Sequence, residues 1–295
     1  MMEPDHAPSP KEIGEHYDSL SEFYRDSWGD ALHHGYWIKS SDSTETAIRN
    51  LGTAVADLAT ISGGDRVLDI GSGYGATAIR LAVERGASVT GWTVSRDQFA
   101  VSTEAAARLP DTVEKPTFHC RDWLESEITT GSCDAVIAIE CLSHIHRKDE
   151  FFQKVVDGLR PGGRLVIADW ATPPHPSSWQ RRWLLDPIAV EGRLASLAGI
   201  EELTLLANKA GLELLATREI SSRVRKTWRV ITARLVGKFL KDSRYRHFFL
   251  ENLHDDRIFA VTIARLLFAY HTGALQYGLL GFEKPDSSPC SAANP

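Results

Sequence analysis

Short apolar runs alternate along the chain with longer segments whose apolar residues recur at helical spacing. This alternation is typical of a mostly parallel sheet that is covered by helices on both faces. The sequence therefore predicts an α/β protein with seven strands. The runs predicted as strands are residues 66–70, 88–92, 117–120, 135–139, 164–169, 212–219 and 273–284.

The same pattern divides the chain into parts with different expected roles. Residues 171–200 and 222–270 do not fit a minimal sheet, so we expect them to form a helical cap. The C-terminus is rich in Pro, Ser and Ala and is expected to be a flexible tail. The predicted parts are an N-terminal helical lid segment (1–50), a ligand-binding core (51–171), the remainder of the sheet with the cap (172–284) and the tail (285–295).

The stretch VLDIGSGYGA at residues 67–76 joins an apolar strand to a helix through three glycines. Glycine lets the backbone approach a ligand closely, and the N-terminus of a helix attracts negative charge. The stretch also satisfies the dinucleotide fingerprint, so a nicotinamide-dependent oxidoreductase is one hypothesis. Such an enzyme needs an acid at the end of the second strand, where this chain has Trp92 and Thr93. That difference weakens the nicotinamide hypothesis without removing it.

Composition argues against several other classes of protein. The 295 residues carry a net charge of −6, whereas a general nucleic-acid-binding protein is usually basic. The four cysteines show no CxxC pair and no other spacing of metal ligands, so we assign no metal. The chain has no apolar targeting segment at its start and no run of about 18 apolar residues. We therefore expect a cytoplasmic protein without stable membrane insertion, and self-association stays open.

Four stretches within residues 66–170 follow one another in a fixed order: RVLDIGSGYGATAIRLA, VTGWTVSRDQ, CRDWLE and LRPGGRLVIADW. They resemble the successive motifs of class I S-adenosylmethionine-dependent methyltransferases. The N-terminal HYDSLSEFYRDSWGDALHHGYW and the closing HTGALQYGLLGFEKP are similar to segments of sterol and tocopherol methyltransferases and of related natural-product enzymes. The resemblance implies a Rossmann-like sheet, parallel except for one strand, whose core binds S-adenosylmethionine and yields S-adenosylhomocysteine.

The resemblance also implies which residues bind this cofactor. The glycine turn would meet its amino-acid end, with Asp69 orienting the loop or binding the ammonium group. Trp92 would flank the ribose and adenine, and Asp122 would accept from the adenine amino group. The alternatives are that Trp92 is a core residue and that Asp122 caps the next helix. The implied cofactor-binding residues are Tyr17, Tyr24, His34, Asp69, Gly71, Gly73, Gly75, Trp92, Thr93, Gln98, Asp122, Trp123 and Glu140.

Catalytic residues are predicted in AIECLSHIHRKDEF, which follows the fourth strand. Glu140 and His144 are four residues apart, so a helical turn would place both on one face beside the cofactor. His144 matches a histidine that acts as a base or orients the acceptor in related methyltransferases, and histidine suits removal of a proton. Glu140 could hold His144, contact the cofactor or take the proton itself, and Tyr24 completes the predicted set. The alternative for His144 is a structural role.

The aromatic residues of EFYRDSWGDALHHGYW suggest how the lid segment works. Ring faces attract a sulfonium cation by about 0.5–2 kcal/mol each. Tyr24, Trp28, Tyr36 and Trp37 could therefore close over the methyl donor. The same rings could instead form the packing face of a docked helix.

The expected acceptor follows from the resemblance to sterol and tocopherol enzymes. It implies a small apolar natural product of secondary metabolism, prenylated or terpenoid, that is methylated on an alkene carbon and can then cyclise. The alternative is O- or N-methylation of a sugar, phenol or amine, with His144 as general base. A protein that binds the cofactor without transferring methyl is a further hypothesis. The residues expected to line the acceptor pocket are Trp170, Trp179, Trp183 and Trp228.

Residues 223–246 combine an apolar stripe at helical spacing with many Lys and Arg residues. Such a helix usually lies on the surface of its domain. It could also be a cap helix whose arginines bind an anionic group such as a diphosphate. A helix at a membrane surface is the third alternative.

Overall fold

The computed structural model describes residues 1–2, 4, 7–29, 31–251 and 256–286, so most of the tail predicted at 285–295 lies outside the described residues. One sheet is built from β1 (Arg66–Ile70), β2 (Ser88–Thr93), β3 (Thr117–Cys120), β4 (Cys133–Ile139), β5 (Leu159–Ala171), β6 (Glu213–Glu219) and β7 (Gln276–Glu283). The strand order is β3-β2-β1-β4-β5-β7-β6. Strand β7 is antiparallel to both of its neighbours, and the other pairs are parallel. The predicted seven-stranded Rossmann-like sheet, parallel except for one strand, is confirmed.

Strand β5 is longer than the sequence predicts. The Pro-Gly-Gly at residues 161–163 indicates a break before the strand, but β5 already begins at Leu159. Gly162 has a φ of +72°, and the pairing of β4 with β5 shifts register in this part of the strand. Because glycine adopts that backbone conformation without strain, the strand continues through an irregular segment instead of ending.

Helices cover both faces of the sheet. They are α1 (Pro10–Ser19), α2 (Ser21–Trp28), α3 (Thr44–Leu58), α4 (Ala76–Arg80), α5 (Arg96–Ala107), α6 (Lys148–Gly158), α7 (Ser178–Gln180), α8 (Asp186–Glu191), α9 (Ile200–Ala210), α10 (Ser221–Val224), α11 (Lys226–Lys241), α12 (Ser243–Glu251) and α13 (Asp256–Thr272). Side chains of a strand alternate between its faces. Accordingly, Ile137 of β4 packs in one buried cluster with Leu51 of α3, and Val136 packs in another with Phe151 of α6.

Helices α1 and α2 lie in the N-terminal segment predicted to be a lid, which we call the lid, and α1 rests directly on the core. A Cβ atom on Gly14 would lie 2.3 Å from the carbonyl oxygen of Val94, so only glycine allows this approach. Asp18 accepts hydrogen bonds from the Asp97 backbone N–H (3.2 Å) and from the Ser95 hydroxyl. The carboxylate of Asp18 therefore sits at the N-terminus of α5, where negative charge is favourable.

Helices α7, α8 and α10–α13 form the cap. Leu184, Trp228 and Tyr270 of the cap belong to the same buried cluster as the α3 face of the sheet. Helix α13 packs against α8, and α11 packs against α2 of the lid. Among the described residues, no helix combines the length and apolar character needed to cross a membrane.

Candidate active site

The glycine turn lies between β1 and α4, where the strand order reverses. Strand β1 pairs with β2 on one side and with β4 on the other, which leaves a crevice beyond their carboxyl ends. Gly71 and Gly73 adopt left-handed backbone conformations there, with φ values of +73° and +56°. A Cβ atom on Gly71 would lie 2.3 Å from Cys141 Cβ, whereas one on Gly73 would meet nothing within 4 Å. Gly71 thus permits close packing, and Gly73 leaves its side open to the crevice.

A cavity of about 250 Å³ occupies this crevice beneath the lid. Ile13, His33, Ser72 and Tyr74 also line it, and they are not among the predicted site residues. Ser72 and Tyr74 lie inside the glycine turn, so the motif already indicated their place, whereas Ile13 and His33 depend on how the lid folds. The predicted site residues that line the cavity are Tyr17, Asp69, Gly71, Gly73, Trp92, Thr93, Gln98, Asp122, Trp123, Glu140 and His144.

Three of the residues predicted to bind the cofactor lie outside the cavity wall. Gly75 is the N-cap of α4, where a Cβ atom would lie 2.8 Å from neighbouring side chains. The Tyr24 ring lies 5.7 Å from that of Tyr17, its hydroxyl lies 3.3 Å from His16 Nε2, and burial raises its pKa. His34 lies behind Glu140. Tyr24 and His34 thus contact residues that line the cavity, whereas Gly75 packs against side chains outside it.

The polar lining at the β2 end of the cavity is internally hydrogen-bonded. The Thr93 hydroxyl donates to Gln98 Oε1 at 2.6 Å. Asp122 Oδ1 accepts from the Leu124 backbone N–H at 2.9 Å, so this carboxylate caps its own turn while lining the cavity. Trp92 is only 7% exposed and also lines the cavity. For Trp92 and Asp122, the structural role and the predicted binding role are thus compatible.

Two buried polar atoms of the cavity wall have no hydrogen-bond partner in the part of the chain that the structure describes: Asp69 Oδ2 and Trp123 Nε1. Leaving a buried polar group unpaired is costly, so such groups point to a missing partner. Burial raises the pKa of Asp69 to about 7. A carboxylate can accept hydrogen bonds from an ammonium group, and an indole N–H can donate one to a ring nitrogen. Both therefore fit the groups that S-adenosylmethionine carries at its two ends.

His144 ends a short 3₁₀ turn after β4, and both of its ring nitrogens are hydrogen-bonded. Nδ1 lies 2.9 Å from the Arg193 carbonyl oxygen, which can only accept, so Nδ1 carries the proton. Nε2 lies 2.9 Å from the Tyr17 hydroxyl and accepts from it. Burial lowers the pKa of His144 to about 4, although the bond to Arg193 opposes this effect. The neutral ring therefore presents an unprotonated Nε2 beside the lid.

Glu140 is a hub of hydrogen bonds. Its Oε1 accepts from the His34 backbone N–H (2.6 Å), from His34 Nδ1 (3.0 Å) and from the Tyr277 hydroxyl (2.8 Å), and Oε2 accepts from Trp170 Nε1 (3.2 Å). Burial alone would raise the pKa of Glu140, but the His34 ring and the bonds donated by His34 outweigh burial and hold the pKa at about 2. The side chain is thus a fixed anion.

Four rings surround His34, and we call this group the aromatic cage: Trp170, Trp228, Tyr270 and Tyr277. Their centroids lie 5.1–5.7 Å from that of the His34 ring. Trp228 Nε1 donates to His34 Nε2 at 2.7 Å, and an indole nitrogen can only donate. Of the tryptophans predicted to line the acceptor pocket, Trp170 and Trp228 lie in this cage. Trp179 and Trp183 are instead 46% and 63% exposed on the cap.

Helix α11 carries much of the basic segment predicted at 223–246, and several of its cations bind the N-terminal region. Arg234 donates to the Ser27 carbonyl oxygen at 2.7 Å, and Lys238 donates to that of Asp26 at 2.8 Å. Lys226 donates to the Ser40 carbonyl oxygen at 2.8 Å. Through these hydrogen bonds, the cations join the cap to the end of α2 and to the segment after it. Within the described residues there is also no cluster of three or more His, Cys, Asp or Glu that could hold a metal.

Comparison with known proteins places this arrangement in a family. The model of the mycolic acid cyclopropane synthetase family matches residues 5–245. The chain is 30% identical over 280 residues to 27-O-demethylrifamycin SV methyltransferase of Amycolatopsis mediterranei (strain S699), which covers 95% of this chain and 99% of the relative.

Solved structures agree in fold. The [4+2]-cyclase SpnF superposes with a TM-score of 0.78 at 25% identity, over 97% of this chain and 99% of that one. Geranyl diphosphate C-methyltransferase from Streptomyces coelicolor A3(2), solved with Mg²⁺, geranyl diphosphate and S-adenosylhomocysteine, gives 0.72 at 15% identity, over 95% and 99%. The chain belongs to the mycolic acid cyclopropane synthetase family and is a class I S-adenosylmethionine-dependent methyltransferase of secondary metabolism.

Proposed function

We propose that this enzyme methylates a hydroxyl oxygen of a natural product, with His144 as the general base. The observation that carries the proposal is the pair of hydrogen bonds at the imidazole, with Nδ1 fixed on a backbone carbonyl and Nε2 on the lid hydroxyl of Tyr17. A relative that aligns over 99% of its own length is named for an acceptor that lacks an O-methyl group. This likeness supports oxygen as the methylated atom.

Protonation favours His144 over Glu140 as the base. A pKa of about 4 leaves His144 neutral at neutral pH, so its Nε2 lone pair is available. Glu140, with a pKa of about 2, is the weaker base, and its Oε1 already accepts three hydrogen bonds. The Glu140 carboxylate instead favours the protonated form of His144. The two residues thus divide proton transfer and charge stabilisation between them.

The cofactor, when bound, supplies an electrophilic methyl group on a sulfonium centre. We propose that it is held by Asp69, whose Oδ2 has no partner among the described residues, by the open side of Gly73, and by the walls formed by Trp92, Asp122 and Trp123. Ile13 and Tyr17 of the lid exclude water from the same cavity. Placing donor and acceptor in contact is the other main task of the protein.

The proton transfer follows from the tautomer of His144. The acceptor hydroxyl replaces the Tyr17 hydroxyl at Nε2 and donates its hydrogen bond there. As the acceptor oxygen gains the methyl group, its proton passes to Nε2, and the imidazole becomes a cation. The other proton stays bonded to Nδ1, which donates its hydrogen bond to the Arg193 carbonyl oxygen throughout. Burial raises the pKa of Tyr17, so this hydroxyl keeps its own proton.

A second candidate is methylation of an alkene carbon in a prenylated or terpenoid acceptor. The observation that favours it is the aromatic cage, because Trp170 and Tyr277 place two rings beside the Glu140 carboxylate. Ring faces stabilise a carbocation, and a carboxylate can accept the proton that ends the reaction. The fold shared with a geranyl diphosphate C-methyltransferase is compatible with this alternative.

One labelling experiment separates the two candidates. The enzyme is incubated with trideuteromethyl S-adenosylmethionine and with 27-O-demethylrifamycin SV, other hydroxylated natural products or geranyl diphosphate, and the position of the label is determined by mass spectrometry and NMR. We expect the label on oxygen. Label on carbon would establish the second candidate instead. Calorimetric binding of S-adenosylhomocysteine serves as the control for an intact cofactor site, and a binding-competent enzyme that leaves every hydroxyl unlabelled would contradict O-methylation of these acceptors.

A further inference from the structure

Lys148 occupies an unusual position for a lysine. It is 2% exposed, and lysine is buried to this degree almost only where partners bind its ammonium group. It is also the first residue of α6, where the helix dipole disfavours positive charge. A residue that violates local preferences is expected where it serves a site. Lys148 lies four residues after the proposed base, His144.

The ammonium group of Lys148 joins the site to the cap. Nζ donates to the Ile145 carbonyl oxygen at 2.7 Å and to the Ser196 hydroxyl. The backbone N–H groups of Ala195 and Ser196 both donate to the Ser143 carbonyl oxygen, at 2.9 and 3.1 Å. Lys148 therefore ties the segment that follows Arg193 to the turn that carries His144.

Two further features bear on this contact: the backbone of Arg193 is strained, and the turn before His144 is also bound from β5. Arg193 has a φ of +52°, a left-handed conformation that residues other than glycine rarely adopt. On the opposite side, the buried Asp169 accepts from the Ser143 backbone N–H at 3.0 Å. The turn before His144 is thus held by hydrogen bonds to β5 on one side and to the cap on the other. Surroundings that fix a segment by several contacts can keep a strained residue in place.

We propose that Lys148 is a positioning residue, which holds residues 193–196 so that the Arg193 carbonyl keeps the proton on Nδ1 of His144 and leaves Nε2 free to act. The inference rests on the proposed role of His144 as base. Lys148 acts through the segment and does not itself meet the acceptor. Without it, the carbonyl would no longer be fixed, and the imidazole could carry its proton on either nitrogen.

The charge of Lys148 has a separate effect on the same ring. Burial is the main cause of the low pKa of His144, and the neighbouring Lys148 ammonium lowers it further. Removing this charge should therefore raise the pKa. The titratable and charged groups that face or influence His144 from the surrounding elements are His16 and Tyr17 of α1, Glu140 after β4, Lys148 of α6 and Arg193 of the cap. Asp169 of β5 interacts instead with Glu140, Lys148 and the Ser143 backbone N–H.

NMR of the enzyme with ¹⁵N-labelled histidine tests the proposal on the S-adenosylhomocysteine complex. The His144 signals are assigned by their loss in His144→Gln. In the native enzyme we expect a protonated Nδ1 and an unprotonated Nε2. In Lys148→Met we expect both tautomers, a titration midpoint at higher pH, and a fall in kcat of roughly tenfold with little change in the cofactor KM. A folded Lys148→Met whose His144 tautomer and midpoint match the native enzyme would overturn the proposal.

Lys154→Met is the matched control. Lys154 lies on the same helix, and its Nζ donates to the carbonyl oxygens of Trp123 (2.7 Å) and Leu124 (2.8 Å) in the turn at the cofactor cavity. This variant should weaken cofactor binding and leave the His144 spectrum unchanged.

Ser196→Ala replaces Lys148→Met if that variant does not fold. Because Ser196→Ala keeps the Lys148 charge, the His144 tautomers should mix without a shift of the titration midpoint. An unchanged tautomer in this variant refutes the proposal. Full turnover by His144→Gln would contradict the proposed function instead, whatever the spectra of the Lys148 variant show.

Discussion

His34 and His144 each donate a hydrogen bond from Nδ1, but their Nε2 atoms meet different surroundings. His34 is 2% exposed, and its Nε2 accepts from Trp228 of the cap, with Tyr270 3.2 Å away. The Nε2 of His144 accepts from Tyr17, a residue of the lid. One imidazole is thus enclosed by partners of the packed core. The other has its partner on the lid, where the proposed acceptor would replace it.

The difference extends to the groups around each ring. Beside the aromatic cage, Glu140 accepts four hydrogen bonds, which join the N-terminal segment to β5 and β7. In the cavity, Asp69 and Trp123 each keep a polar atom without a partner in the described residues. Complete pairing stabilises a core, whereas incomplete pairing at a cavity leaves groups available to a ligand. We therefore expect the histidine of the aromatic cage to serve stability and the histidine at the cavity to serve chemistry.

The largest effect predicted from this comparison is on turnover. His144→Gln removes the base while retaining polar character, so kcat should fall by about 10²–10⁴-fold, the usual contribution of general base catalysis. Affinity for S-adenosylhomocysteine, measured by calorimetry, should change only a few fold. Steady-state kinetics with the acceptor found by labelling provides the measurement. Native turnover in this variant would remove His144 from the mechanism.

The same substitution in the cage should act on stability. His34→Gln cannot both donate to Glu140 and accept from Trp228 in the geometry of the imidazole, so a buried carboxylate loses part of its pairing. We expect a loss of about 2–4 kcal/mol in the free energy of unfolding, measured by urea denaturation. Turnover of the folded fraction should stay within a few fold of native. A turnover loss as large as that of His144→Gln, without destabilisation, would contradict the division of roles.

The core of the site was predictable because its residues lie in contiguous motifs. The glycine turn placed Gly71 and Gly73 at the end of β1, and the carboxyl ends of neighbouring parallel strands brought Trp92 and Glu140 to the same crevice. The strand count followed from the apolar runs, whereas the single antiparallel strand followed only from the family resemblance. Local sequence determines the glycine turn and the strands, so these features can be read from it.

The surroundings of the two histidines were not predictable, because they depend on contacts far apart in the sequence. His34 meets Trp228 and Tyr270 only after the cap has folded against the N-terminal segment. The tautomer of His144 depends on the Arg193 carbonyl oxygen, and no side-chain pattern reveals a backbone acceptor. Trp179 and Trp183 illustrate the same limit, since the family resemblance suggested that they line a pocket, whereas the structure leaves them 46% and 63% exposed on the cap.

The Asp69 carboxylate in the cavity predicts a pH-dependent cofactor affinity. Burial raises the pKa of Asp69 to about 7 in the protein without ligand, and pairing with the ammonium group of the ligand requires the ionised form. Affinity for S-adenosylhomocysteine should therefore level off above that pKa and fall, by up to about tenfold per pH unit, as the pH drops below it. Calorimetry at pH 6 and pH 8 measures this change, with proton release detected at the lower pH. Asp69→Asn should bind more weakly and with little pH dependence, whereas an equally steep dependence in this variant would assign the titration to another group.

The smallest predicted effect concerns the lid hydroxyl that distinguishes the two rings. If the acceptor replaces Tyr17 at Nε2, Tyr17→Phe removes a bond that is absent during the reaction, so kcat should fall only a few fold. The ring remains to cover the cavity, and its contact with the His144 ring, at 5.6 Å between centroids, is retained. Steady-state kinetics gives the kcat of Tyr17→Phe, which is compared with that of His144→Gln on the same acceptor. A loss approaching that of His144→Gln would mean that the hydroxyl stays on Nε2 and relays the proton, so that His144, like His34, would keep a permanent partner on both nitrogens.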